Sequence, residues 1–340
     1  MSDCGDTPEI VFRVICFFAI VFNVLFFLLI RYKTPRTMTA YSKVLYTSCI
    51  FDGLASISHF LIGNRPLFVK DVLANDFVGP IPRLFAHMEW ISDEGYAYFI
   101  ALEFLFQFST LSVCFVPCTY RFFHYIRNTT FTRFKFGLLL LVYLIPPFMV
   151  AIPFAMLSAL VYTPMKGYIG RSGLECTTWF PAIDGRIYKE EQLSSLVDIP
   201  YKFGQLLSLF PIFFIYFLIR IFVKLNEDVK KLSSAAGRMQ KEITVTLTAQ
   251  AVIPLLFTSF PVFYASYTFG HQGDKEGAMR LVIYSVTLFT LVNPIASSLL
   301  VKNYRHTIWR VVCFGKMKEK CVRNPTSRIT SEIKILSSKL

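Results

Sequence analysis

Charge is scarce in this chain of 340 residues. Only 17% are Asp, Glu, Lys or Arg, against roughly 25% in an average soluble domain. Glycine (16) and tryptophan (3) are few as well, whereas 36 residues are Phe and 54% are hydrophobic. With a mean hydropathy of +0.51, this excludes a disordered or collagen-like chain and argues against an ordinary soluble enzyme. The eight cysteines form no CxxC pair and no Cys/His cluster, so no zinc or redox motif is expected. Four of them (Cys16, Cys49, Cys114 and Cys118) lie in apolar blocks, where a thiol acts as a small hydrophobe. No phosphate-binding glycine loop, zinc signature or nucleophile elbow is present. No enzyme activity, metal or cofactor is therefore expected.

What the chain has in abundance is apolar residues in blocks of about 20, enough to cross a hydrocarbon core of roughly 30 Å. Seven segments qualify: Ile10–Ile30, Tyr41–Ile62, Gly95–Tyr120, Phe136–Val161, Ile199–Phe222, Ile243–Thr268 and Met279–Val301. The first contains Val14–Ile30, whose only polar member is Asn23, and Arg31-Tyr32-Lys33 follows where a cleavage site would need small residues; it reads as an uncleaved span. The third carries Glu103 and Gln107, and the sixth begins in the polar run Thr244-Val245-Thr246. A β-barrel is excluded, since its strands are about ten residues long and alternate apolar with polar. The expected fold is an all-α membrane protein of seven spans over residues 1–312, a short juxtamembrane helix included. Residues 313–340 are expected to form a basic, disordered cytoplasmic tail.

The loops orient the bundle. Segments 31–40, 121–135, 223–242 and 302–340 hold 22 Lys and Arg against 5 acids, net +17. Segments 1–9, 63–94, 162–198 and 269–278 hold 8 against 15, net −7. Lys and Arg collect on the cytoplasmic side, so the N-terminus is expected outside and the basic tail inside. The overall charge of +13 then belongs to an inner face turned to anionic lipid and acidic partners, not to nucleic acid.

Polar groups at membrane depth need a partner or a role. Asn23, Asp52 and Asn293 lie midway along the first, second and seventh spans. They can share a central network, with water or a sodium ion, or serve as interhelical contacts worth about 0.6 kcal/mol each. Asp52, an ionisable group, reads as a switch. Arg121 closes the third span after Tyr120, either as a snorkelling anchor or as a coupling residue. Nine of 17 prolines fall in spans, among them Pro117, Pro146, Pro147, Pro254, Pro261 and Pro294; each bends its helix, as a fixed kink or as a hinge. Glu103, Gln107, His59, Lys202 and Gln205 lie in the outer halves of their spans among many aromatic residues. They either line an apolar pocket with a few polar contacts or simply reach the interface.

Beyond the seventh span, Tyr304, Ile308 and Val312 recur every four residues among basic ones, the pattern of an amphipathic helix on the inner leaflet. Cys313 and Cys321 follow it as candidates for palmitoylation, or as free thiols. Cys4 and Cys176 are the extracellular cysteines and can form a bridge in an oxidising compartment. The sequon Asn128-Thr129-Thr130 lies in the second cytoplasmic loop, where it should go unused.

Seven spans with an external N-terminus resemble the G-protein-coupled receptor layout. Asn23, Asp52, Tyr120-Arg121, Pro211, Pro254 or Pro261, and Asn293-Pro294 stand on the matching spans. More closely, the chain resembles the nematode serpentine chemoreceptors of the Str superfamily, the Srd-like branch in particular. The residues that carry this are Lys33-Thr34-Pro35-Arg36-Thr37-Met38 with Tyr41, Gln250 through Pro254, Asn293-Pro294-Ile295 and Tyr304-Arg305. The chain departs from the general receptor pattern in four places. Thr119 replaces an acid before Tyr120-Arg121, and Ser297 replaces a tyrosine after Asn293. The third span has no outer cysteine, and the fourth has no tryptophan.

The resemblance implies a chemosensory receptor of the cell membrane, sensory cilia included. A small environmental molecule would enter an outer pocket, and a heterotrimeric G protein would bind loops 121–135 and 223–242 beside Arg121. The competing reading is a seven-span ligand-gated cation channel or carrier, similar to insect odorant receptors; that class has its N-terminus inside, against the 22-to-8 distribution. An intramembrane enzyme would need paired groups, and the only span acids, Asp52 and Glu103, stand on different helices.

Overall fold

The computed structural model describes residues 6–34, 39–69, 72–77, 79–82, 84, 96–129, 131–149, 151–152, 179–183, 215–224, 227 and 275–312. Within the sixth segment it describes 244–246, 248–249, 252–253, 256–257, 260–261, 264 and 267–268, all helical. Four stretches among the described residues are long and apolar enough to cross a bilayer: Ile10–Lys33, Tyr41–Leu61, Ala101–Ile126 and Arg280–Leu300. They correspond to the first, second, third and seventh expected spans. The helical stretches 133–149 and 215–224 overlap the fourth and fifth.

The first helix, Asp6–Lys33, shows how this sequence folds in lipid. Phe12, Cys16, Ala19, Asn23, Phe26 and Ile30 are buried, recurring every three to four residues as one stripe. The rest of its surface is equally apolar but exposed, including Phe17, Phe18, Leu25, Phe27 and Leu28. In water such a face would be a liability; in hydrocarbon it costs nothing, and the buried stripe is where the polar residue sits. The second helix, Thr39–Leu61, and the seventh-span helix, Lys275–Leu300, pack against it.

The third span is not one continuous helix. Tyr96–Val113 stops at Cys114-Phe115, and the chain resumes as Val116–Arg121 and then a π-helical turn, Phe122–Ile126. Pro117 is the cause of the break: it has no N–H for the carbonyl one turn back and its ring crowds that turn. It is tolerated because it falls at the start of the new helix, where no donor is needed. Asn128, at φ 51, then turns the chain, in a left-handed conformation that asparagine accepts more readily than most residues.

An element absent from the sequence reading lies beyond the second helix. That helix ends with Ile62 donating to the Ser58 carbonyl (2.8 Å) and Gly63 at φ 58, a left-handed C-terminal glycine. Strands β1 (Asn64–Val69) and β2 (Val72–Phe77) form an antiparallel hairpin, with Val69 opposite Val72, and β3 (Trp179–Ile183) pairs with the free side of β2. The order is β1-β2-β3. Pro66 sits in edge strand β1, the place where a missing donor does least harm. β1 also lies beside the seventh-span helix. The base of the hairpin is closed by Gly79, whose N–H donates to the Ile62 carbonyl at 2.9 Å.

At the opposite end, an apolar core of Phe26, Ile30, Tyr41, Val44, Leu45, Tyr120, Val301 and Tyr304 joins the first three spans to the seventh. The short helix Lys302–Val312 follows. Tyr304 is its fully buried anchor, and the phenol donates to Thr34 Oγ1 (2.6 Å), whose own proton goes to the Ile30 carbonyl (2.6 Å). Burial raises the pKa of this phenol above its ordinary value, with the Thr34 bond pulling the other way. The tail 313–340 lies outside the described residues.

Candidate functional site

Among the described residues, three groups of polar side chains inside the bundle stand out, spaced from the hairpin end to the Arg121 end. Nearest the hairpin, His59, Glu103 and Gln107 are all buried. His59 Nδ1 stands 2.7 Å from Glu103 Oε1, and Gln107 Nε2 stands 3.0 Å from His59 Nε2. A proton on Nδ1 donates to the carboxylate and leaves Nε2 to accept from the amide, so the neutral tautomer satisfies both partners. Phe12 packs edge-on against the imidazole (5.9 Å between centroids) and touches Tyr284 (5.7 Å). Neither His59 nor Glu103 reaches an interface: they face each other across the second and third spans. Lys202 and Gln205 lie outside the described residues.

The middle group ties the first, second and seventh spans. Asn293 Nδ2 donates to Asp52 Oδ2 at 2.5 Å. Among the described residues Asn23 has no hydrogen bond to Asp52; its Nδ2 donates to the Ala19 carbonyl at 2.9 Å and across to the Thr290 carbonyl at 3.0 Å. The reason is Pro294, inside the seventh-span helix. Residue 294 would normally donate to the carbonyl of residue 290; proline cannot, and Asn23 supplies the missing donor. Ser56 completes the link, donating to Thr290 Oγ1 at 2.9 Å. A second proline is handled in the same way. Pro147 leaves the Tyr143 carbonyl without its backbone donor, and Ser112 on the third span donates to it at 2.5 Å. Nothing in the pattern of the chain marks Ser112 for this role. Only the four-residue offset between Tyr143 and Pro147, read together with a neighbouring span, would have found it.

The third group surrounds Arg121, which is 1% exposed and therefore turned inward, not snorkelling to the surface. It donates through Nη1 to the Tyr41 hydroxyl on the second span and through Nη2 to Thr244 Oγ1 (3.4 Å) on the sixth. Its guanidinium also lies over the rings of Tyr41 (5.2 Å) and Tyr125 (4.5 Å), positions where a cation is attracted to a ring face. A small cavity of about 10 Å³ separates Arg121 from Leu218, Ile221 and Thr248, so the fifth and sixth spans stand closed against it. Tyr120 packs on Tyr41, His124 and Phe131. Thr119, where the general pattern has an acid, hydrogen-bonds the Tyr143 hydroxyl (2.6 Å) and so ties the third span to the fourth. Cys4, Cys176, Cys313 and Cys321 lie outside the described residues, as does Pro254.

A bundle of apolar helices, with polar groups buried on its axis and an arginine sealed at one end, defines a helical membrane protein of the G-protein-coupled-receptor type. The crystal structure of squid rhodopsin has the same fold, with a TM-score of 0.59 over 94% of this chain and 89% of that one, at 12% identity. The chain belongs to the family described as serpentine type 7TM GPCR chemoreceptor Srd, whose family model matches residues 9–310. That is a family of receptors, not of enzymes. No curated protein sequence matches the chain significantly.

Proposed function

We propose that this protein is a chemosensory receptor that carries a small-ligand signal through the cell membrane to a heterotrimeric G protein. The N-terminus is outside and Arg121 inside. The observation that carries this reading is the setting of Arg121: a cation held where the second, third and sixth spans meet, by hydroxyls and ring faces. The two hydroxyl partners come from different spans, Tyr41 from the second and Thr244 from the sixth, so movement of either span breaks its bond. An outward shift of the sixth span removes Thr244 and frees the guanidinium for an acceptor on a docking protein. The ligand acts at the other end, against the His59–Glu103 pair and its walls of Phe12 and Tyr284. It can shift the balance of two arrangements only by the difference in its affinity for them. The basic loops of the Arg121 side would speed the approach of an acidic partner.

The test is expression in cells reporting cAMP, cGMP and calcium, challenged with a panel of small volatile and water-soluble organic compounds. Arg121→Ala should abolish the response at equal surface expression, while Glu103→Gln should shift ligand potency and leave the maximal response intact. A response unchanged by Arg121→Ala would refute the coupling role.

A further inference from the structure

Between the first helix, the seventh-span helix and the short helix Lys302–Val312 runs a crevice of about 490 Å³ that none of the three polar groups touches. Its walls include Phe22, Leu25, Leu29, Ile295, Leu299 and Ile308. The hydroxyl of Thr307, also at its surface, is already spent on the Asn303 carbonyl (3.0 Å), so the walls offer almost nothing to a polar ligand. The crevice opens sideways: Phe22, Leu25 and Leu299 are 37%, 49% and 45% exposed, on the face that meets hydrocarbon. We propose that it holds one acyl chain of an anionic phospholipid from the leaflet at the Arg121 end.

Three observations commit the site to that occupant. The first is length. From Phe22 to Lys33 the crevice follows the first helix for about 16 Å, and a leaflet is half of a hydrocarbon core of roughly 30 Å. It begins beside Asn23, at mid-depth, and ends at the surface. The second is charge. Its mouth is formed by Tyr32 and Lys33, with Arg31 one residue away and Arg305 and Arg310 exposed on the adjoining helix. A phosphate-bearing headgroup is attracted there, whereas a sterol brings only a hydroxyl. The third is symmetry. A second copy bound isologously would place the same basic mouth against itself, and like charges repel. The crevice floor, Phe26, belongs to the core that also contains Tyr120. A bound chain therefore braces the arginine end and fastens the short helix to the first.

The experiment uses full-length protein in phosphatidylcholine nanodiscs containing a phosphatidylserine or a phosphatidylcholine probe with a photoreactive group in one acyl chain. Labelled peptides are then mapped by mass spectrometry. Since nanodiscs expose both leaflets, the outcome does not depend on which way the receptor faces in the cell. The expected result is labelling within 22–29 and 295–299 that favours the serine lipid about fivefold, the effect of one basic residue near the surface. The lipid-facing residues Leu138, Leu141 and Val142 should be labelled equally by both probes. Lys33→Glu should erase the preference, and Leu25→Trp, which fills the crevice, should suppress labelling there by both probes. Thermal unfolding checks that each variant is folded, and because Lys33 is exposed its substitution carries the test if the tryptophan is not accommodated. Equal labelling by the two lipids in the native protein, labelling unaffected by both substitutions, displacement by a sterol, or cross-linking of two copies through the crevice would each overturn the proposal.

Discussion

At the scale of single residues, this bundle is held by donors that prolines make necessary. Asn23 and Ser112 each reach across to a neighbouring span and bond the carbonyl four residues before a proline, at Thr290 and Tyr143. Losing such a donor leaves a buried carbonyl unpaired, a cost of about 1–3 kcal/mol. Asn23→Ala should therefore lower the stability of the purified protein by that amount. In the background of Pro294→Ala, where residue 294 regains its N–H, the same substitution should cost much less. A double-mutant cycle by thermal or denaturant unfolding measures the difference, and strictly additive costs would show that Asn23 is not serving the proline. Asn23, Asp52, Asn293, Glu103 and Arg121 were legible in the chain because a polar group in a run of hydrophobes is conspicuous. Ser112 and Thr244 were not. A hydroxyl is common in spans, and its value depends on a partner from a distant segment. The polar run Thr244-Val245-Thr246 blurs the start of the sixth span for the same reason that it matters: Thr244 and Thr246 face inward, both buried, and Thr244 meets Arg121.

At the scale of elements, the helices follow from apolar length and periodicity, whereas the small sheet does not. β1 begins Asn64-Arg65-Pro66, a start that argues against a strand until its edge position is known. β3 comes from a segment more than a hundred residues away, which no local pattern can announce. The break in the third span is easier to understand, since Pro117 stands in it, but the π-turn after Arg121 has no such marker. The closure of the hairpin makes a sharp comparison possible between two glycines. A Cβ on Gly79 would lie 2.2 Å from the Leu61 carbonyl oxygen and 2.3 Å from that of Ile62, whereas one on Gly137 would meet nothing within 4 Å. Gly79→Ala should therefore destabilise by about 1–3 kcal/mol through forced backbone movement. Gly137→Ala, in the helix 133–149, should be neutral or stabilising by up to about 1 kcal/mol. Unfolding midpoints of the two variants decide the matter, and equal effects would mean that Gly79 is not packed as described.

At the scale of the whole molecule, the distribution of charge sets the expected orientation. The segments with net +17 include those flanking Arg121 and the short amphipathic helix, and the segments with net −7 include the hairpin and the strand paired to it. A tag at the N-terminus should therefore be accessible on intact cells, one at the C-terminus only after permeabilisation, and Asn128 should carry no sugar. Glycan on Asn128 would reverse the molecule in its membrane and favour the channel or carrier reading. The number of spans and their order were legible because lipid imposes a length on every crossing. The contacts between spans were not, because an apolar surface in lipid carries no sign of which neighbour it will meet.

The π-turn at Phe122–Ile126 has one further consequence. A wider turn takes up one residue more than an α-helical one, so it advances the angular phase of everything downstream by about 100°. Arg121 is keyed to the helices above this point, while the segment leading to Asn128 is indexed by the turn itself. Deleting one residue there would keep the Tyr41 and Thr244 bonds of Arg121, turn Tyr125 off the guanidinium, and rotate the loop that begins beyond it.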